Sequence, residues 1–402
     1  MNIIDTGERP TTKESASPKL KRVQCLTDLS EDQIRAIRAI PAHEAAKPEP
    51  INERRPAAMF TAAERFELEQ KNVFRKRAVP VTLSAMLPEK NSYFPHDGYG
   101  VPIVVTRDQN GQVHAFLNAC MHKGSKVVEG CEARKGKLMV CPYHAWSFAT
   151  DGRLIAVPRE ESIIGLDKSN RGLRELACKE AGGIIWVMLD PAAEPDFGGM
   201  DQQLIKDFEA LDIPRMEVYG RKTFELEANW KLVLEPFLEG YHVTRLHANT
   251  VGPMFPDVPN ANEILGLNVR QLQGKVNFTP EGLDVEGENI HKSVTFSYIV
   301  FPNLVVITSP YYISAMYIMP KAANRSTVEY IMLTRQEADN EKAKELYSKS
   351  YDMVLNVFGN EDFRAAEISQ QGLSTGALDD VIYTGLEAAI PAYYRLLESH
   401  FS

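Results

Sequence analysis

The sequence predicts an α+β protein in two parts, an all-β domain followed by a domain of antiparallel sheet and helices. Three observations predict it. Short β-type runs separated by turn signals recur from about Val79 to Asp190. The stretch PAAEPDFGG (191–199) then interrupts them. Beyond it, alternating strands over 293–335 precede one long helical periodicity. A chain of 402 residues has room for two or three domains. With 44% hydrophobic and 25% charged residues a sizeable core can form, which excludes general disorder.

Taken in order, residues 1–58 lack long apolar runs and carry TTKESASPK and AHEAAKPEPINERRP. They read as an arm, flexible or laid over a neighbour. Within the arm Ser30 is placed to cap a short helix to Ile40, with Glu31 in its first turn. Residues 59–77 hold a second helical stretch, TAAERFELEQKNVFRKR, with Thr61 as its cap candidate. From 78 to 190 the runs VPVTLSAML, VPIVVTRD, QVHAFLNAC, LMVCPYHAWSF, RLIAV and GIIWVMLD read as strands. Asp108-Gln109-Asn110-Gly111 and Asp151-Gly152 mark turns between them. Over 191–402 the mixed texture returns. LEANWKLVLEPFLEGYHVTRLH reads as helix, SVTFSYIVF, LVVITS, SAMYIMP and TVEYIMLTR as a sheet, and 336–371 as a long amphipathic helix.

Charge and cysteine usage narrow the function. Lys plus Arg is 45 against 54 for Asp plus Glu, a net charge of −9, so no broad cationic face awaits nucleic acid. No run of about 18 apolar residues suggests a membrane span. The opening MNIIDTGERPTTKES has no apolar core of a secretory signal. Five cysteines make no disulfide framework, and a cytoplasmic protein is expected. No G-x-G-x-x-G opens a helix after a strand, so no nicotinamide or flavin site is expected.

Four metal-binding side chains fall into two tight pairs, Cys120-Met121-His122 and Cys141-Pro142-Tyr143-His144, with eighteen residues between His122 and Cys141. Two loops, each offering one sulfur and one nitrogen, can face each other and enclose a site. Gly124 and Pro142 supply the tight backbone. Cys2His2 suits structural zinc. Zinc fingers, however, usually take both cysteines from one segment and both histidines from another. The mixed pairing instead fits a 2Fe–2S cluster in which one iron takes both thiolates and the other both imidazoles, the Rieske arrangement. Trp146 and Phe148 are placed to wall it from solvent. Cys25, Cys131 and Cys178 have no partner in the pattern and read as ordinary thiols.

A second constellation lies in NWKLVLEPFLEGYHVTRLH. Glu239 and His242 share one helical face at i,i+3. His242 and His247 stand about 140° apart on a regular helix, so the helix must bend, bulge or end for both to reach one metal. A lone histidine here would be a core or capping residue. Two beside an acid, in a chain with nine histidines, suggest two ligands of an Fe(II) facial triad. The third ligand must come from elsewhere, with Asp362 the candidate and Glu361 its neighbour. An isolated Asp on a long helix would otherwise be a solvated acid.

Together these residues resemble the Rieske non-haem iron oxygenases, the aromatic-ring-hydroxylating oxygenase family, and specifically their terminal α subunits. The likeness runs from about residue 59 to the C-terminus. It rests on Cys120-x-His122 with Cys141-x2-His144, then Asn229-Trp230-Lys231 leading to Glu239-x2-His242-x4-His247, then Glu361-Asp362 before Gln370-Gln371-Gly372-Leu373. The first two signatures together are highly specific; the third rests partly on order. The resemblance implies a Rieske β domain and a helix-grip (START/Bet v1-like) catalytic domain. It implies a ring-shaped homotrimer in which the cluster of one subunit serves the mononuclear iron of the next. Glu239 would bridge them, bonded to His242 and to His144 of the neighbouring chain. It also implies O2 as co-substrate, electrons from an NAD(P)H-dependent reductase, directly or through a ferredoxin, and a small-molecule substrate.

Three residues depart from the common pattern. The bridging acid is usually Asp, and Glu239 at this place also occurs in the branch that oxidises quaternary ammonium compounds. Glu235 stands where many ring dioxygenases carry Asn, bringing an additional acid toward the iron. Lys123 replaces a common Arg. Phe237, Leu238, Val243, Leu246, Met254, Phe255, Phe301 and Ile307 are the candidate pocket residues, though apolar residues at such spacings are more often core. Arg245 could pair with a substrate carboxylate or face solvent. The resemblance favours monooxygenation or oxidative demethylation over cis-dihydroxylation of an aromatic ring. A Rieske electron carrier without oxygenase activity and a zinc-stabilised binding protein are the readings from other classes.

Overall fold

The computed structural model describes residues 20–401. TTKESASPK and most of the opening segment lie outside the described residues. The described part of the arm is not free. It is laid over its own chain. Glu31–Arg38 is helical, with a capping box in which Ser30 Oγ accepts the Gln33 N–H and the Gln33 side chain accepts the Ser30 N–H. Leu26, Leu29, Ile37 and Ile40 are buried, so scattered single apolar residues suffice to dock a segment that has no long apolar run. Polar bonds fix its register. Gln33 donates to the Tyr298 hydroxyl at 2.8 Å, and fully buried Arg270 joins Asp32 and Asp207, each at 2.6 Å. Further on, Glu53–Pro56 pairs antiparallel with Asp380–Tyr383.

The lead-in forms two short helices, Ala58–Thr61 and Ala63–Glu69, and a π turn over Gln70–Phe74. Thr61 ends the first helix and caps neither. The second helix starts from Ala62 without a side-chain cap. What anchors the lead-in is Glu69. Its fully buried carboxylate takes Lys231 Nζ at 2.8 Å, Trp230 Nε1 at 2.8 Å and Arg65 Nε at 2.9 Å. Three donors on one carboxylate offset the cost of taking both charges out of water.

From Ala78 to Met188 every strand is short and antiparallel. Ala78–Leu83, Ile184–Met188 and Cys178–Ala181 make one sheet. Ser92–His96, Ile103–Arg107 and Val113–Leu117 form the middle of a five-stranded one. Leu138–Val140, Ser147–Ala149 and Leu154–Ala156 make a small third sheet. Phe116, Met139, Trp146 and Phe148 form a core of their own around Cys120 and Cys141. Residues 191–199 have neither helix nor strand, yet Ala78 N–H bonds Asp196 and Asn268 bonds Gly199, which pins the crossing.

Beyond it, seven antiparallel strands stand in the order Glu217–Leu226, Arg325–Thr334, Tyr312–Ala322, Leu304–Thr308, Val294–Val300, Asn268–Gly274, Ala261–Leu265. A helix runs across this sheet: Glu341–Asn356, a π turn over Val357–Asp362, then Phe363–Leu373. It starts later than 336, where Asn340 caps it. Phe358 packs edge-on to Tyr330 and Phe237, and Phe363 to Phe224. The stretch expected to be one helix from Leu226 to His247 is broken. It ends a strand at Leu226 and is helical over Trp230–Leu234. A 3-10 turn follows over Glu235–Leu238, with an extended residue at Glu239, and one helical turn covers Val243–Leu246. Pro236 and Gly240 explain the break, since neither supports a continuous helix. No helix among the described residues is long and apolar enough to cross a membrane.

Candidate metal centres

The two Cys/His pairs meet at the edge of the β domain. In the first loop Gly124 N–H closes onto the Cys120 carbonyl at 2.8 Å, with Gly124 at φ +77°, a conformation glycine adopts without strain. In the second, Ala145 N–H bonds the Cys141 carbonyl, and Cys141 N–H bonds the Trp146 carbonyl. These turns put both sulfurs inside and both rings at the surface. Cys120 is 4% and Cys141 2% exposed. Burial pushes the Cys120 thiol above its usual range, and the neighbouring Cys141 adds to the rise. The imidazoles face each other, Nδ1 to Nδ1, at 3.1 Å. Two metal–nitrogen bonds of about 2.1 Å at one tetrahedral ion put their nitrogens a little over 3 Å apart, so this spacing suits two ligands of one iron. Sulfur thus pairs with sulfur and nitrogen with nitrogen, the arrangement a two-iron cluster requires. Among the described residues this quartet does not gather three ligand atoms for a single ion, as zinc would need. Trp146 stacks on His122 at 4.9 Å, and fully buried Phe148 backs the cysteines. Cys25, Cys131 and Cys178 stay free, and burial pushes the Cys178 thiol up to about 11.

The second centre does gather three. The ligand atoms of His242, His247 and Asp362 all lie within 4.8 Å of one another. Asp362 Oδ1 is 3.2 Å from His247 Nε2 and 3.5 Å from His242 Nε2. That oxygen is buried with no hydrogen-bond partner, which a carboxylate tolerates only where a cation completes its shell. The broken helix makes this possible, because His242 precedes and His247 follows the single turn Val243–Leu246. The π turn at Val357–Asp362 does the same for the third group.

Each histidine's other nitrogen is held. His242 Nδ1 sits 2.5 Å from Glu239 Oε1, while Glu239 Oε2 accepts the His242 backbone N–H at 3.1 Å. Contact comes from an extended Glu239 folding back over the next turn, not from a shared helical face. His247 Nδ1 sits 2.6 Å from Glu361 Oε2, which also accepts from Thr250 Oγ1 at 2.8 Å. Glu361 therefore stands behind a histidine and not among the three converging groups. The two Nε2 atoms are left to face Asp362.

Glu239, His242, His247 and Asp362 line a cavity of about 350 Å³. Phe237, Val243, Met254, Phe255 and Ile307 line it as the sequence suggested; three other candidates do not. Leu238 is core at 1% exposure, Leu246 faces outward, and Phe301 is buried against Tyr393 and His400. Glu235 does not join the metal group. Its carboxylate is turned to Tyr383 and Tyr394, whose hydroxyls donate to one oxygen at 2.8 and 2.6 Å. Arg245 is exposed and paired with Asp257 at 2.9 Å. Sequence reasoning missed apolar Val251 and Phe358 and the polar part of the lining, which includes Asn260, Gln271, Gln273 and Lys275. Its signal was the alternation of Gln271, Gln273 and Lys275 along one strand and just past its end.

An all-β unit with a two-cysteine, two-histidine edge, joined to a helix-crossed sheet holding two histidines and an aspartate, defines a Rieske-type non-haem iron protein. Comparison with known proteins agrees. The family model described as "Rieske [2Fe-2S] domain" matches residues 77–171, and "Ring hydroxylating alpha subunit (catalytic domain)" matches 213–401. The chain thus carries a Rieske domain followed by a ring-hydroxylating α-subunit catalytic domain, and its relatives are Rieske oxygenase α subunits. It is 28% identical to the chloroplastic choline monooxygenase of Beta vulgaris over 94% of this chain and 82% of that protein. It is 34% identical to the anthranilate 1,2-dioxygenase large subunit of Acinetobacter baylyi over 48% of this chain. That match spans 42% of the relative. The carnitine monooxygenase oxygenase subunit of Escherichia coli is 30% identical over 48% of this chain and 51% of its own length. In fold, a quaternary ammonium Rieske monooxygenase in complex with L-carnitine superposes with a TM-score of 0.73 at 22% identity. It covers 90% of this chain and 99% of that one. A Rhodococcus naphthalene 1,2-dioxygenase gives 0.70 at 20% identity, covering 87% and 93%. The cofactors of this family are the Rieske 2Fe–2S cluster and a mononuclear iron, with O2 as co-substrate.

Proposed function

We propose that this chain is a terminal oxygenase component that hydroxylates or oxidatively demethylates a small organic substrate. In this reading Cys120, His122, Cys141 and His144 hold the cluster, and His242, His247 and Asp362 hold the iron. When bound, the iron supplies dioxygen activation and the cluster supplies electrons that a separate NAD(P)H-dependent reductase, with or without a ferredoxin, delivers. The observation that carries the reading is the convergence of two Nε2 atoms on a partnerless, buried Asp362 oxygen at a cavity's lining. Glu239 and Glu361 fix the imidazole orientations from behind. Phe237, Val251, Met254 and Phe358 keep water from the cavity and hold the substrate's apolar body. Glu239 has a second task in a homotrimer, joining His242 to His144 of the neighbouring chain. The domain division that goes with this reading is 1–58, 59–77, 78–190 and 191–402.

Monooxygenation is favoured by Glu239 in place of Asp and by the choline and carnitine relatives, which are named as monooxygenases. The anthranilate relative, named as a dioxygenase, keeps cis-dihydroxylation of an aromatic compound, in aromatic breakdown, as the second reading. Turnover of a substrate panel with a surrogate reductase under isotopically labelled O2 decides between them. One labelled oxygen in the product, or a dealkylated product with aldehyde released, is expected. Two labelled oxygens in one product would establish the dioxygenase. No oxygen incorporated anywhere, with cluster and iron loaded, would leave only an electron carrier.

A further inference from the structure

At one side of the cavity lies a buried cation that none of the described residues neutralises. Lys275 is 9% exposed and lines the cavity together with His242, His247 and Asp362. Its Nζ donates one hydrogen bond, to the His291 carbonyl at 2.8 Å, and stands 5.9 Å from the Phe255 ring centre. Burial alone acts on its charge and pushes its pKa down to about 8, with no carboxylate among the described residues near enough to oppose that. It is therefore mostly a cation at neutral pH, with two ammonium N–H bonds left over. A buried unpaired charge is costly, and a fold keeps one where something else supplies the counter-charge.

Two more donors stand on the same strand face. Gln271 and Gln273 alternate with Lys275, opposite Ser297 and Thr295 of the adjoining strand. Gln271 is 2% exposed. Asn260 Nδ2 donates to its carbonyl oxygen at 3.4 Å, leaving the Gln271 amide nitrogen buried with no partner. The Gln273 amide nitrogen is buried and without a partner as well. Three unmet donors, one of them charged, thus share a wall of a cavity whose remainder is largely aromatic and aliphatic. The cavity's acids, Glu239 and Asp362, belong to the ligand end, and Arg245 is already taken by Asp257.

We propose that Gln271, Gln273 and Lys275 form a subsite for a carboxylate, so that the substrate is an organic acid with an apolar or alkylated body. Ammonium and amide N–H groups in a water-poor wall are what a carboxylate needs on both oxygens. The same wall repels a cation that carries no acid of its own. A zwitterion such as a betaine satisfies it; a quaternary ammonium alcohol does not. This rests on the oxygenase reading for the word substrate, while the binding chemistry stands on the cavity alone.

The test is binding, measured by calorimetry on the purified, metal-loaded protein. A panel of arene, alkyl and betaine carboxylates is compared with the primary amide of each and with choline. Wild type is expected to bind at least one acid about tenfold or more tightly than its amide, the usual worth of a hydrogen bond to a charged group. Lys275→Met is expected to erase that preference while circular dichroism and the cluster spectrum stay unchanged. If no acid outcompetes its amide, if the preference survives in Lys275→Met, or if choline binds as well as the acids, the assignment falls. The amide comparison needs no variant, so a misfolded Lys275→Met leaves the test intact. Oxygen uptake is followed separately. Acid-selective binding without any turnover sinks the oxygenase reading and not the subsite; turnover without acid selectivity does the reverse.

Discussion

Two tyrosine hydroxyls on one oxygen of Glu235 do not offset the burial of that acid, which is pushed up to about 7 from an ordinary value near 4.5. Glu387 adds to the shift and Lys231 opposes it. The sign follows from proton counting. Between about pH 4.5 and 7 the folded chain keeps a proton that the unfolded chain has released, so this group's contribution falls as pH rises through that window. Glu235→Gln keeps an oxygen for both hydroxyls and cannot ionise. It is expected to raise Tm by several degrees at pH 8 and by little or nothing at pH 4.5, measured by calorimetry; an equal gain at both would mean that ionisation is not the cause. A second acid acts through a histidine. Glu361→Ala should weaken mononuclear iron binding about 10- to 100-fold in a chelator competition while the cluster spectrum is unchanged, because the His247 ring loses its anchor and Thr250 its acceptor. Residue types were the most legible part of the sequence. Cysteines, histidines and Asp362 could be picked out by spacing and order, since few side chains bind metal. Directions were not legible. Glu235 sits close to the ligands in sequence yet turns to Tyr383 and Tyr394, from far down the chain. Lys275 drew no reading from the sequence, because its lack of an acid partner among the described residues is a fact about neighbours.

At the scale of elements, irregularity in the helices is what aims the second centre. A regular helix would hold His242 and His247 about 140° apart, and here the helix is only Val243–Leu246. On the other side the π turn Val357–Asp362 inserts extra backbone into an otherwise continuous helix from Glu341 to Leu373. Gly359 lies within that turn, where an added Cβ would meet Phe224 at 3.1 Å, so the turn packs closely on the sheet. Strand alternation over 293–335 and the helical period after it were legible because each repeats over many residues. The breaks were not, since one residue of extended backbone at Glu239 or one extra residue in a helix leaves the apolar period almost untouched. The NWK signature has an elemental explanation too. Asn229 caps its helix and donates its own N–H to the Gln370 side chain, and Lys231 and Trp230 hold Glu69, so three distant segments clasp at one helix start.

At the scale of the molecule, the two centres are built by different layers, the cluster at an edge of the β domain and the iron triad inside the helix-crossed sheet. His122 and Tyr143 are exposed there, with Val140 and Ile164 among the apolar side chains open to solvent in the same domain. An edge of that kind suits contact with another chain, and the trimer reading gives it one, with Glu239 between His242 and the neighbour's His144. Mixing two disabled chains tests this directly. His144→Ala removes a cluster ligand and leaves the triad; His242→Ala removes a triad ligand and leaves the cluster. Neither alone should turn over. Co-expressed, they assemble at random into closed rings. In such a ring about half the sites hold a working triad and about half of those have a working cluster next door, so about a quarter of wild-type turnover per site is expected. If electrons instead passed within one chain, every chain in the mixture would lack one centre and activity would stay at zero. Glu239→Gln, in an otherwise intact protein, separates the bridge from the assembly. It should keep both metals and the oligomer seen by gel filtration, yet lose most turnover, because only the charged link between the imidazoles has been removed. Recovery of a quarter in the mixture together with normal turnover in Glu239→Gln would keep the ring and discard the bridge.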